Sequence, residues 1–340
     1  MKLGMLVLLV ALGLMLAGSM PAFAQVVSPL QGGHFAPSVA NIRDMAYHPP
    51  GLFVLWYNLS IGADTYVDRN GNELNRLELS KIDPDLPDID LKFNVDGWAT
   101  VPAVAWGSNF SLLGGARYVA AISPSYASAD GIVITERGGA AGDTTITEYT
   151  EGKVSGWGDL FVSPLQLYWT FEKFDLATMY GFYAPTGRYE TGGDDNMGLG
   201  FWTHQFQGFG YYYPTPGKAT ALMLGLTYEA TGDIKDEDVN PGNRFTLEWG
   251  VSQYLTEQFE IGVQGGHNWQ VSDDSGSDVY WKAGVHDRKS TVAFSAGFWP
   301  FPGWLYVSGK YATDFGCVQR FKNKSWMINL IFLPNILTGE

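Results

Sequence analysis

The sequence predicts an all-β fold: a closed, transmembrane, antiparallel up-and-down β-barrel of about twelve strands. Three observations predict it. Apolar residues recur with period two in run after run, which places one face of each strand in lipid. Short and long connections alternate strictly along the chain, as they do in outer-membrane barrels. The composition is the third. Of 340 residues, 46% are hydrophobic, 15% aromatic and only 16% charged, yet mean hydropathy is −0.05. Alternating lipid-facing and inward residues cancel in that average. The chain is too aromatic to be disordered. One Cys removes an internal disulfide framework and every Cys-rich metal site. A net charge of −14 argues against nucleic acid, whose binders present a basic face.

The elements follow in chain order. Residues 1–24 read as a signal peptide: Lys2, an apolar stretch from Leu3 to Ala17, and the cleavage pattern Ala22-Phe23-Ala24. The apolar stretch is shorter than the roughly 20 residues of a spanning helix. Residues 25–50 precede the first strand. A short helix around Asn41-Ile42-Arg43-Asp44, ended by Pro49-Pro50, would either enter the lumen as a plug or lie in the periplasm as a tether. A coil of this length spans about 25–30 Å, which suffices for the plug. In that arrangement Arg43 seeks Glu248 or Glu260, and Asp44 seeks Arg117 or Arg244. Residues 51–332 form the barrel, and 333–340 a C-terminal tail.

Within the barrel the alternating runs are 52–61, 89–107, 111–125, 157–170, 173–184, 198–213, 218–231, 244–255, 257–271, 288–300, 303–314 and 325–332. Most reach the 9–11 residues of a tilted spanning strand. In 292–298, for example, Val292, Phe294, Ala296 and Phe298 share one face. Short connections fall at 108–110, 171–172, 214–217, 256 and 301–302 and belong in the periplasm. Long ones at 62–88, 126–156, 185–197, 232–243, 272–287 and 315–324 are external loops. All but the last are net acidic, and they read as solvated, bridging lipopolysaccharide through divalent cations. A soluble two-sheet sandwich also alternates. It explains neither the connection lengths nor the aromatics at strand ends. Those are Trp157, Trp169, Tyr180, Phe182, Tyr211, Tyr212, Tyr213, Trp299 and Trp304, where interfacial girdles sit.

With the apolar faces given to lipid, the opposite faces name the lumen lining and gating set. It comprises Asp90, Lys92, Asp96, Arg117, Asp175, Glu229, Arg244, Glu248, Glu260, Gln264, Lys310 and Asn329. A charge facing lipid would cost about 2–4 kcal/mol at the midplane. These side chains form either a network that holds the barrel's shape or a gated polar path. Twelve strands lie between eight, whose interior is filled, and the sixteen of open porins, so the pore is narrow.

Chemical motifs are scarce. No His-Glu-x-x-His pattern and no Gly-x-Ser-x-Gly elbow occurs. Two residues after His204 and His267, where a barrel phospholipase would want Ser, stand Phe206 and Trp269. The loop from Asp233 to Gly242 alternates oxygen ligands but misplaces the Gly and lacks the final Glu of an EF-hand. Cys317 reads as an unpaired thiol in the last external loop. No enzyme, metal or cofactor is expected.

Several stretches carry a resemblance. They include Gly156-Trp157-Gly158-Asp159-Leu160 followed by Pro164-Leu165-Gln166-Leu167, and Gly181-Phe182-Tyr183-Ala184-Pro185-Thr186-Gly187-Arg188-Tyr189. Gly198-Leu199-Gly200-Phe201-Trp202-Thr203-His204-Gln205 and Trp269-Gln270-Val271-Ser272-Asp273-Asp274 continue it. Together they resemble the phenol meta-pathway degradation outer-membrane protein family over nearly the whole mature chain. The resemblance implies a Gram-negative outer-membrane barrel channel linked with uptake of aromatic or other hydrophobic compounds. The expected function is therefore passive uptake of small hydrophobic or aromatic molecules; the alternative is a structural or adhesion barrel without transport. Expected partners are outer-membrane lipid and lipopolysaccharide, a small-molecule permeant and the outer-membrane assembly machinery.

Overall fold

The computed structural model describes residues 32–46, 50–81, 88–138, 145–193 and 195–333. The expected signal peptide, residues 25–31 and 47–49 of the segment before the first strand, and 334–340 of the tail lie outside the described residues. The strands are β1 (Gly51–Val67), β2 (Arg76–Leu77), β3 (Ile89–Leu112), β4 (Ala116–Ser123), β5 (Tyr126–Gly138), β6 (Thr145–Trp157), β7 (Leu160–Thr170) and β8 (Phe174–Ala184). They continue with β9 (Thr203–Tyr212), β10 (Thr220–Thr231), β11 (Arg244–Tyr254), β12 (Phe259–Gln270), β13 (Arg288–Phe301), β14 (Leu305–Val318) and β15 (Arg320–Phe332). β1 bonds to β15 on one edge and to β3 on the other, which closes a ring of twelve antiparallel strands. Closure leaves no unpaired edge in lipid, where an unsatisfied backbone group costs several kcal/mol.

The period-two reading sets the register of most walls. On β10, Leu222, Leu224, Leu226 and Tyr228 are exposed on the outer face, while Ala221, Met223, Thr227 and Glu229 are buried inside. Phe294 on β13 is 56% exposed on the outer face. Placing Arg there should cost about 2–4 kcal/mol in the membrane. The variant Phe294→Arg is therefore expected to lose the folded, heat-modifiable form on a gel; unchanged assembly would contradict the lipid-facing register of β13.

Several expectations change. The β3–β4 turn is Leu113-Gly114-Gly115, not 108–110, because three successive positive φ angles (34°, 74° and 91°) suit the two glycines there. The stretch 126–156 is a hairpin, not a loop: β5 and β6 pair throughout, and β3 pairs with β4 along its lower half and with β5 along its upper half. The connection at 315–324 is likewise absorbed into β14 and β15, with Gln319 (φ 52°) making the turn. Cys317 is consequently a buried strand residue, not a loop thiol.

Further changes concern faces and loops. On the upper part of β3 the faces are inverted. Asp90, Lys92 and Asp96 are exposed, whereas Leu91 and Phe93 are buried with Tyr66, Leu77 and Val133. This stretch belongs to the external extension, where water lies outside and apolar residues must turn inward. Arg76 bonds Asp90 and Lys92 bonds Glu136 on the wet face, so these charges are not lumen residues. The loops 185–202, 232–243 and 272–287 also form their own small core. Phe201, Ile234, Val239 and Trp281 are buried together, and Asp274 accepts the Gly242 N–H and the Trp281 indole. The external end thus carries a packed cap rather than separately solvated loops. Of the expected girdle aromatics, Tyr211, Tyr213 and Trp299 face inward instead.

Candidate functional site

The inner wall has two unlike halves. Phe53 of β1, Val119 of β4, Tyr168 of β7, Ala177 of β8 and Phe209 and Tyr211 of β9 form a buried apolar face. From β10 to β15 many inward residues are polar, among them Glu229, Arg244, Glu248, Glu260, Gln264, Lys310 and Asn329, although Ala221, Met223, Tyr306 and Ile331 join the apolar cluster. Strand alternation supplies both faces equally well. What distinguishes the polar half is that residues 32–46 run inside the ring and bond to it. They adopt successive turns, with Asp44 N–H to Asn41 O (3.1 Å) and Ala46 N–H to Arg43 O (2.9 Å), rather than the expected helix.

At the external end the segment begins against the Arg244 side chain. Gly33 has φ +60°, and a Cβ there would lie 2.4 Å from Arg244 Cδ, so only glycine fits. Arg244 donates through both terminal nitrogens to Asp287 (2.7 and 2.5 Å), which Arg320 also approaches (3.4 Å). The His34 ring bonds Asp159 and Thr203, and Glu229 accepts the backbone N–H groups of His34 (3.2 Å) and Phe35 (2.9 Å). Burial pushes the Asp159 carboxyl up, but hydrogen bonds from His34, Leu199 and Gly187 outweigh it and hold the group below the ordinary carboxylate range.

Midway, Glu248 accepts the Ser38 N–H (2.7 Å). Lys310 Nζ donates to the carbonyls of Ser38, Val39 and Ala40 (3.0, 3.1 and 2.7 Å). Gln264 reaches Ala40 O (3.0 Å), and Asn329 reaches Val39 O (3.2 Å) and Asn41 Oδ1 (3.0 Å). Every carbonyl from 38 to 40 is therefore satisfied by a wall side chain, in the way a strand partner would satisfy it. Ile42 packs where Gly250 and Gly262 leave room.

At the periplasmic end Arg43 meets Glu260 (2.6 Å) and Ser252, donates to the carbonyls of Lys218 and Ala219, and lies 4.8 Å from the Tyr254 ring centroid. Asp44 accepts the Tyr57 hydroxyl (2.8 Å). Of the two expected partners for Asp44, Arg244 is held by Asp287 at the far end, and Arg117 is half-buried and donates to Ser108 O (2.9 Å). Asp175 accepts from Lys218 (2.6 Å) and Tyr213 (2.7 Å). Here the lumen opens into a cavity of about 290 Å³ lined by Arg43, Lys218, Tyr213, Tyr254, Trp299 and Tyr306.

Sequence reasoning missed His34, Asp159, Thr203 and Asp287. Asp287 lies in a stretch read as loop. Asp159 and Thr203 are in stretches read as strand, but nothing in their spacing marks them. His34 had no signal, since its partners lie 125 and 169 residues away.

The family model described as "Putative MetA-pathway of phenol degradation" matches residues 55–330. Among solved structures, the chain is similar to an outer membrane channel from Pseudomonas putida F1, with a TM-score of 0.60 and 14% identity over 86% of this chain and 99% of that one. A more distant likeness, with a TM-score of 0.38 and 11% identity, is to a FadL homologue of Pseudomonas aeruginosa over 86% of this chain and 92% of that one. No curated protein matches the sequence. At these identities the likeness is one of fold.

Proposed function

The chain belongs to the family described as "Putative MetA-pathway of phenol degradation", and on that premise we propose that it is an outer-membrane channel for passive uptake of small hydrophobic or aromatic molecules. The observation that carries this reading is the division of the lumen. One side is richer in apolar and aromatic residues, and the other is richer in polar ones and hydrogen-bonds residues 32–46, while Ile42 packs with the apolar cluster. A permeant with an apolar ring would travel along the first side once the segment, whose Ile42 belongs to the same buried cluster as Phe53, Phe209 and Tyr211, moves aside as a gate. Phe53, Phe209 and Tyr211 give such a ring contacts that water cannot match. Arg43 and Asp44 act as gate residues at the periplasmic mouth, where the aromatic cavity lies.

The alternative, a structural or adhesion barrel, draws on the occupied lumen and the packed external cap. Liposome swelling separates the two. Proteoliposomes should admit small ring compounds faster than acyclic polar solutes of equal size. Equal rates would overturn the preference for ring compounds, and no uptake of either by a folded barrel would favour the structural reading.

A further inference from the structure

We propose that the pocket filled by the His34 ring is a binding site for a small planar molecule that displaces His34 and frees the external end of the segment. This rests on the reading of residues 32–46 as a gate. The ring is held as a bound ligand would be. It stacks on Tyr183 with centroids 4.3 Å apart and planes 16° from parallel, and the Phe201 ring stands edge-on at 5.5 Å. Nε2 lies 2.9 Å from Asp159 Oδ2 and Nδ1 lies 2.8 Å from Thr203 Oγ1. The side chain is 7% exposed.

The walls of this pocket do not depend on His34. Asp159 also accepts the N–H groups of Gly187 (2.9 Å) and Leu199 (2.8 Å), which ties it to the external cap. Tyr183 and Thr203 are ladder partners between β8 and β9. Phe201 belongs to the cap's own core. An aromatic face, an aromatic edge and two polar groups therefore remain when the histidine leaves.

Next to the pocket, the barrel offers bonding capacity that the segment leaves unused. Gln205, two residues after Thr203 on β9, is the ladder partner of Glu229 on β10. Gln205 Nε2, Glu229 Oε2 and Thr227 Oγ1 are all buried with no hydrogen-bond partner. Each such buried group carries a desolvation penalty that no hydrogen bond offsets. A molecule bringing its own donors and acceptors could satisfy what His34 and Phe35 do not.

The pocket's chemistry defines the ligand class. The molecule is flat and about the size of one ring, to lie against Tyr183. It carries a donor for Asp159 and, on another edge, a group for the Thr203 hydroxyl. It is not an anion, because Asp159 and Glu229 face it. His34 is tethered and therefore present at a high effective concentration, so the ligand must outcompete it. It can shift the gate only by binding the released state better than the docked one.

Free imidazole is the probe, at about pH 8 where it is mostly neutral. Its binding is measured on the purified full-length barrel by thermal shift and calorimetry, in wild type, His34→Ala and His34→Ala/Thr203→Val. Folding is checked by heat-modifiable gel migration. His34→Ala should bind imidazole saturably and on the order of tenfold more tightly than wild type, since the competing ring is gone. Thr203→Val should weaken that binding several-fold. In wild type, imidazole should raise single-channel conductance. No saturable binding to folded His34→Ala overturns the site. Binding that leaves wild-type conductance unchanged overturns the release, while deletion of the whole segment reports separately on the gate.

Discussion

Deletion of residues 32–46 is expected to leave a folded barrel whose single-channel conductance is several-fold higher and whose discrimination among solutes is lower. The barrel does not need the segment to close. β1 pairs with β15 from Val54 to Val67 and with β3 from Gly51 to Ala63, and no segment residue takes part in either ladder. The wall groups that lose the segment, such as Glu248, Gln264, Lys310 and Asn329, gain water in the vacated lumen, so their desolvation penalty goes with their bonds. Planar-bilayer recording on refolded protein measures the change. Unchanged conductance in a barrel shown to be folded would mean that the segment obstructs nothing.

Lys310→Met should produce the same direction of change from a single side chain. Among the described residues, Lys310 is the one group that bonds three consecutive segment carbonyls, and it is buried on the inner face of β14. Methionine keeps most of the side-chain length and cannot donate. Ala40 O retains Gln264 and Val39 O retains Asn329, but among the bonds described here Ser38 O loses its donor. Leaving buried acceptors unmade costs about 1–3 kcal/mol each. For Ser38 O alone, a shift of about 1–3 kcal/mol changes the docked-to-released ratio by about 5- to 150-fold. The open fraction in bilayer records should rise steeply, with the folded gel form retained. Lys310→Arg, which keeps the charge and donors, should restore part of the closed state. If Lys310→Met gates as wild type does, the carbonyl contacts do not hold the segment.

Much of the fold was legible because a membrane wall leaves little choice. Leu222, Leu224 and Leu226 cannot face inward while Glu229 faces lipid, so alternation sets register on β10 through β15. The same rule failed on β3. Asp90, Lys92 and Asp96 stand above the membrane, where the solvent on the outside is water and the faces exchange. Alternation reports two faces but not which solvent each one meets. It also failed where inward residues are apolar. Phe209 and Tyr211 look like lipid-facing aromatics, yet they line the lumen and pack with Ile42.

The site was half legible. That Arg43 meets Glu248 or Glu260 follows from charge, since a buried guanidinium needs a carboxylate, but that it meets Glu260 on β12 was decided by the tertiary structure. The pairing of His34 with Asp159 and Thr203 does not follow from charge, because nothing local distinguishes that histidine from the others.

The sequence by itself determined the export signal as an expectation, the twelve-strand ring, and the inward or outward sense of most of β10–β15. Each depends on period, composition or connection length, which are local properties of the chain. Tertiary structure alone decided that 126–156 is a hairpin, that three external loops share a core, and that residues 32–46 thread the lumen along its polar half. Those outcomes turn on which surfaces meet across the ring. Lys310 finds the carbonyls of Ser38, Val39 and Ala40 because barrel closure brings β14 over the segment, about 270 residues along the chain, and no periodicity in the sequence encodes that meeting.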